Sequence, residues 1–130
     1  MRTIRPFLFA ICLGLTACSR TPSAQEVLGV PLPVSASDVR VSNKGGLFGG
    51  DSYLSASISS ADYMVLTQQL SLRHRADLLE YWPSALAAHD TAWWTVTVTN
   101  DSATLFAEQP STYIVTRFEG GRLYFKRHVY

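Results

Sequence analysis

Two adjacent glycines, Gly120 and Gly121, sit between two runs of alternating character, residues 111–118 and 122–129. That arrangement constrains the fold more than any other stretch. A two-residue Gly-Gly loop suits the tight turns whose twist matches an antiparallel hairpin. It also sets the register, with Glu119 opposite Arg122 and Phe118 opposite Leu123. Side chains alternate across a strand, so the register assigns faces. One face carries Ile114, Thr116, Phe118, Leu123, Phe125 and Val129, and is the expected core. The other carries Tyr113, Val115, Arg117, Arg122, Tyr124, Lys126 and His128.

The preceding stretch repeats the theme. Residues 93–99 alternate and are rich in β-formers, Asn100-Asp101 suits a turn, and residues 102–108 read as the returning strand. Pro110 breaks the run. Upstream, residues 38–42 and 53–58 alternate around the glycine-rich segment 43–50, which predicts a hairpin with a long turn. Between these pairs Ser59 and Ser60 offer hydroxyl caps and Asp62 a first-turn carboxylate. Tyr63, Leu66 and Leu70 then recur at helical spacing, so a helix is expected over 61–72. Residues 76–82 suggest one more helical turn ended by Pro83. The fold class is α+β: an antiparallel sheet of about six strands, ending in two hairpins, with one main helix packed on one face.

The first residues have the form of an export signal. Arg2 and Arg5 precede a nine-residue uncharged apolar run, residues 7–15, and the small residues Thr16 and Ala17 precede Cys18. A transmembrane helix would need about 20 apolar residues. Leu15-Thr16-Ala17-Cys18 resembles the lipobox of bacterial lipoproteins at all four positions. The resemblance implies cleavage before Cys18, a diacylglycerol on its thiol and acylation of the new amine. It also implies an address at the periplasmic face of the outer membrane, because Ser19 stands where Asp would signal inner-membrane retention. The stretch 31–72 is similar, in addition, to small uncharacterised bacterial lipoproteins, which lend it no activity.

The expected organisation is therefore a signal over 1–17, lipidated Cys18 with a flexible tether over 18–33, and one domain over 34–130. The tether reading rests on Pro22, Pro31 and Pro33 among small and polar residues. Loss of Arg2 and Arg5 leaves nine basic residues against ten acidic ones. That balance gives no electrostatic footprint for nucleic acid. Cys12 departs with the signal and Cys18 is spent on lipid, so the mature domain has no disulfide, thiol nucleophile or cysteine ligand.

Chemistry-bearing motifs are sparse. The sequence contains neither a Gly-x-Ser-x-Gly elbow nor Ser-x-x-Lys, and His74, His89 and His128 lie far apart. No catalytic residue, metal or cofactor is assigned. Three features remain as candidate binding residues. One is the basic and aromatic hairpin face of Tyr113, Arg117, Arg122, Tyr124, Lys126 and His128; another is the apolar pair Leu47 and Phe48 between glycines; the last is Trp93. Arg and aromatic residues are enriched at binding hot spots, but the same face is also consistent with solvated sheet. Leu47 and Phe48 either fold back on the core or form an exposed tip. The functional expectation is a non-enzymatic, lipid-anchored module that binds a protein of the envelope. An immunity protein or hydrolase inhibitor belongs to the same class, and an envelope hydrolase is the alternative outside it.

Overall fold

A computed structural model describes residues 22–44, 50–75, 77, 92–96 and 102–130. Helix α1 spans Ala24–Leu28, strand β1 Ser37–Lys44, β2 Gly50–Ser57 and helix α2 Ser60–Gln69. Strands β3, β4 and β5 follow at Thr104–Gln109, Thr112–Glu119 and Arg122–Val129. Among the described residues the architecture is α+β, a five-stranded antiparallel sheet in the order β1-β2-β5-β4-β3 with two short helices. The strands β3, β4 and β5 form a meander, and the β1-β2 hairpin joins it by pairing β2 with β5.

The glycine turn does what its chemistry requires. Gly120 and Gly121 take φ of 59° and 73°, and Glu119 pairs with Arg122 and Phe118 with Leu123. The expected helix is present but shorter than 61–72. Ser59 caps it, its hydroxyl accepting from the Asp62 N–H at 3.1 Å, and Ser71 leaves the helix at φ 54°. Tyr63, Leu66 and Leu70 are buried with Leu54, Ala56, Ile58, Ile114, Leu123 and Phe125. Tyr63 stacks on Phe118 at 4.7 Å and its hydroxyl lies 3.4 Å from that of Thr116. This is the core face expected from the turn, except that Val129, at the end of β5, is 36% exposed and outside the core.

Three expectations are corrected. The first concerns the strand over 93–99: residues 92–96 belong to no strand, and 97–99 lie outside the described residues. The six-strand count falls to five among the described residues for that reason. Second, β3 pairs with β4 across Pro110-Ser111, so the break at Pro110 is itself a hairpin turn, with Ser111 at φ 63°. The helical turn over 76–82 lies outside the described residues except for Asp77.

The third correction concerns the tether. Over 22–33 the chain is part of the fold: Val27 and Leu28 are 2% and 0% exposed, and Val30 and Leu32 pack partly buried beside them. Ser23 caps α1, its hydroxyl accepting from the Glu26 N–H, and Gly29 ends the helix at φ 78°. The Arg127 guanidinium then donates to the carbonyls of Val27 at 2.7 Å and Leu28 at 2.8 Å. A cation on the last carbonyls of a helix satisfies acceptors that have no partner within the helix. Gly29 is required twice here, by its positive φ and because a Cβ would meet Arg127 Nη2 at 2.9 Å.

Behind α1 the chain runs to Ser35, whose hydroxyl accepts from the Ser59 N–H at 3.0 Å and donates to the Asp62 carboxylate. The Ser35 hydroxyl, and then its backbone N–H, hold the Asp62 carboxyl below its usual value near 3.8. A carboxylate whose folded pKa is depressed adds stability above its unfolded pKa and loses it as pH falls through the folded one. Asp62→Asn should therefore be less stable than wild type at pH 7. In acid denaturation curves the difference should shrink below about pH 3.8 and vanish in stronger acid. The N-terminal segment gives a second test. Leu28→Ala should cost about 2–5 kcal/mol in denaturant unfolding, the usual range for a fully buried leucine; a flexible tether would show no change.

Candidate binding surface

The pairing registers arrange the second face of the sheet in rows that cross all five strands. One row runs Lys44, Asp51, His128, Tyr113, Glu108, and the next Ser42, Tyr53, Lys126, Val115, Phe106. A third runs Arg40, Ser55, Tyr124, Arg117, Thr104, and Ser57, Arg122 and Glu119 begin the fourth. The residues expected to share a face therefore do share it. Most of them are not exposed. Arg117 is 7% and Lys126 4% exposed, with Tyr124 and Val115 equally enclosed.

The described cover is the segment 92–96. Trp94 and Val96 are buried with Tyr53 and Tyr124, and Trp93 packs against them. Trp94 meets Tyr53 edge-on at 5.2 Å and Tyr124 at 5.4 Å, while Trp93 meets Trp94 at 6.1 Å. Such edge-to-face pairs add to the gain from burial. The alternation that suggests a strand over 93–96 instead supplies apolar side chains to roof the sheet.

Under this roof the charged groups are matched. Arg117 donates to Glu119 at 2.9 Å and to the Thr104 hydroxyl at 3.0 Å. Asp51 accepts from His128 Nδ1 at 2.5 Å and, at 3.5 Å, from the Tyr53 hydroxyl, with Lys126 Nζ 4.0 Å away. Burial, and then the Asp51 charge, push the Tyr53 hydroxyl up to about 12. Burial pulls the Lys126 ammonium down and Asp51 opposes it. Lys126 also lies 5.5 Å from the centre of the Tyr53 ring. The Asp51–His128 pair has the geometry of an oriented general base, but among the described residues no hydroxyl is bonded to Nε2. No group of three potential ligands gathers among the described residues either.

At one end of this face the roof opens into a cleft of about 300 Å³, lined by Asp38, Arg40, Trp93, Thr95, Arg122 and Tyr124. Arg122 is a clamp. It donates to the Ser55 hydroxyl at 2.5 Å, the Ser57 hydroxyl at 3.2 Å, the Asp38 carboxylate at 3.0 Å and the Asp38 carbonyl at 2.9 Å. These bonds hold Asp38 at φ 46°, where the β1 register slips between Ser37 and Arg40. Arg40 reaches the same carboxylate at 3.4 Å with its side chain 49% exposed. Two guanidinium groups thus share one carboxylate beside Trp93 and Tyr124. The Tyr124 hydroxyl is fixed by that of Thr95 at 3.0 Å.

Of the sequence candidates, Arg122, Tyr124 and Trp93 come together in this cleft. Arg117 and Lys126 are interior, and Tyr113 and His128 lie at the other end of the sheet. Leu47, Phe48 and Cys18 lie outside the described residues. Asp38 and Arg40 carry no signal of their own in the sequence, where they read as an ordinary strand start. A larger hollow of about 660 Å³ lies between the end of α2 and β3, with Arg73, Arg75, Phe106 and Glu108 on its wall. Arg75 there is already paired with Asp77 and Glu108, and Arg73 exchanges both backbone bonds with Phe106.

No protein-family model, curated protein or solved structure matches this chain. Among the described residues no helix is long and apolar enough to cross a membrane.

The matched charges give a direct test. Asp51→Ala removes the acidic partner of an enclosed ammonium and should destabilise the domain by about 1–3 kcal/mol, the usual cost of leaving a buried polar group unpaired. Lys126→Met removes the enclosed charge itself and leaves Asp51 with His128, so it should cost less than Asp51→Ala, because no buried charge is left without a partner. Denaturant midpoints of the two variants, compared with wild type, measure both effects.

Proposed function

We propose that this chain is a lipid-anchored protein of the bacterial envelope, held at the periplasmic face of the outer membrane, whose domain binds a protein partner without catalysing a reaction. The anchor rests on the lipobox-like Leu15-Thr16-Ala17-Cys18 behind a basic and apolar leader. The binding assignment rests on one observation, the cleft in which Arg40 and Arg122 share Asp38 alongside Trp93 and Tyr124.

The arrangement suits an acidic side chain on a partner. Asp38 can neutralise only one of its two cations, which leaves positive charge on the more exposed Arg40. Arg, Trp and Tyr are the residue types that carry most binding energy at protein interfaces. Tyr124 and Arg122 are held rigidly by their own bonds, so little ordering entropy is lost on contact. The clamp below and the exposed guanidinium above divide support from recognition. An acidic inhibitor target or a cognate toxin would fit this chemistry equally, which keeps the immunity and inhibitor readings within the same class.

Cross-linking of the intact protein in its native envelope, with mass identification of the captured species, supplies the partner. Arg40→Glu should then weaken that partner's binding about tenfold or more, because reversal replaces attraction with repulsion. Stability should stay within about 1 kcal/mol, since the pair it breaks is exposed. Unchanged affinity in a folded Arg40→Glu domain would remove the cleft as the binding site.

A further inference from the structure

The ordered N-terminal segment places the domain much closer to its anchor than a flexible tether over 18–33 would. Ser23 already caps α1, so only Ser19, Arg20, Thr21 and Pro22 separate it from Cys18. Five Cα-to-Cα steps span at most about 17 Å when fully extended. The headgroup region on each side of a bilayer is about 5–7 Å thick. With Cys18 acylated, the start of the domain is held at the membrane surface.

The end of α1 is fixed near a defined end of the sheet. The helix has five residues and is about 7 Å long. Its last two carbonyls are bonded to Arg127, two residues before Val129 at the end of β5. Arg122, at the other end of β5, is about 17 Å from Arg127 along the strand. At the Val129 end an aromatic cluster reaches the surface. Tyr113 stacks on His128 at 4.9 Å, and Tyr130 meets His128 edge-on at 5.1 Å and Tyr113 at 5.9 Å. Tyr130 is 67% exposed and Val129 36%. Tyrosine, with an apolar ring and a polar tip, is favoured at the membrane–water interface.

We propose that the acylated protein rests with the Tyr130 end of its sheet against the phospholipid headgroups, Tyr113 and Tyr130 at the interface, and the Arg40–Trp93 cleft turned away from the membrane. The inference rests on the acylation of Cys18 proposed above. The length of chain available supplies the occupant: a leash of at most about 17 Å keeps this end beside the bilayer. The surface chemistry suits that occupant, and the cleft, formed where Asp38 and Arg122 meet near the Gly120-Gly121 turn, is left open to a partner.

The test uses the full chain, exported and processed in a bacterial host, with acylation read by intact mass. It is reconstituted in phosphatidylethanolamine–phosphatidylglycerol vesicles carrying headgroup spin-labelled lipid. The mature chain has no thiol besides that of Cys18, so a fluorophore can be placed at Gln109→Cys, exposed at the Tyr130 end. A second goes at Ala61→Cys, exposed in the first turn of α2 at the opposite end. Both substitutions leave Tyr113 and Tyr130 intact. Quenching of the 109 probe should exceed that of the 61 probe about threefold or more, because only a probe near the headgroup layer meets the label. Adding Tyr130→Ser to the 109 variant should reduce its quenching. Equal quenching of the two probes in acylated protein, or stronger quenching at 61, overturns the orientation alone. A mature chain without acyl groups overturns the anchor and the orientation with it.

Discussion

The central strand β5 has water removed from both of its faces, and the rest of the structure answers that constraint. Leu123, Tyr124, Phe125 and Lys126 are buried in succession, two toward the helices and two toward the Trp94 roof. A strand enclosed on both sides loses the wet face that would ordinarily receive its polar residues. Each polar group on β5 must therefore find a partner inside the fold. Lys126 has Asp51 and the Tyr53 ring, Arg127 has the carbonyls at the end of α1, and Arg122 has Asp38 and two serines. Every one of these partners lies in the first 57 residues. The polar groups of the last strand thus tie it to the N-terminal half of the domain in addition to the backbone ladder between β2 and β5.

This explains which features were legible in the sequence. Local chemistry was readable where one or two residues dictate it. Gly120-Gly121 set the β4-β5 register, and Ser59 with Asp62 marked the start of α2. Alternation then told which side chains share a face. It could not tell what lies above that face, because the same pattern serves a solvated surface and a roofed one. Residues 93–96 look like a strand for a related reason. Two tryptophans, a threonine and a valine have high β propensity, but such propensity largely reflects fitness for a half-buried apolar surface, which a cover also provides. Tertiary burial outweighed the local preference.

The N-terminal segment was hidden by size. Five residues show less than two turns of periodicity, and three prolines nearby argue for extended chain. What makes α1 possible is Arg127, a hundred residues away, together with a glycine that leaves room for it. The cleft was only partly legible on the same grounds. Arg122, Tyr124 and Trp93 stood out by residue type, whereas Asp38 and Arg40 matter only because the Arg122 bonds bring them across 84 residues of sequence. The exposed edge strand β1 gains protection from the same arrangement. A register slip and the charged side chains of Asp38, Arg40 and Lys44 all discourage edge-to-edge pairing.

In the acylated protein proposed above, the Arg127 contact also bears on how the domain would hang from its anchor. Were residues 18–33 a coil, a pull on the lipid would stretch the coil and leave the sheet unloaded. With α1 docked, tension on a leash acylated at Cys18 would pass to Val27 and Leu28, and from their carbonyls through the Arg127 guanidinium to β5. That strand is paired on both sides along its whole length, so the load is shared by β2 and β4. The guanidinium makes two charge-assisted bonds to neutral acceptors in a half-buried setting, stronger than ordinary backbone bonds, and burial lowers its pKa without removing its charge. A lysine there would keep the charge but could not span both carbonyls with a planar fork. The fork joins α1 to the central strand of the sheet, so the N-terminal segment and β5 move as one unit.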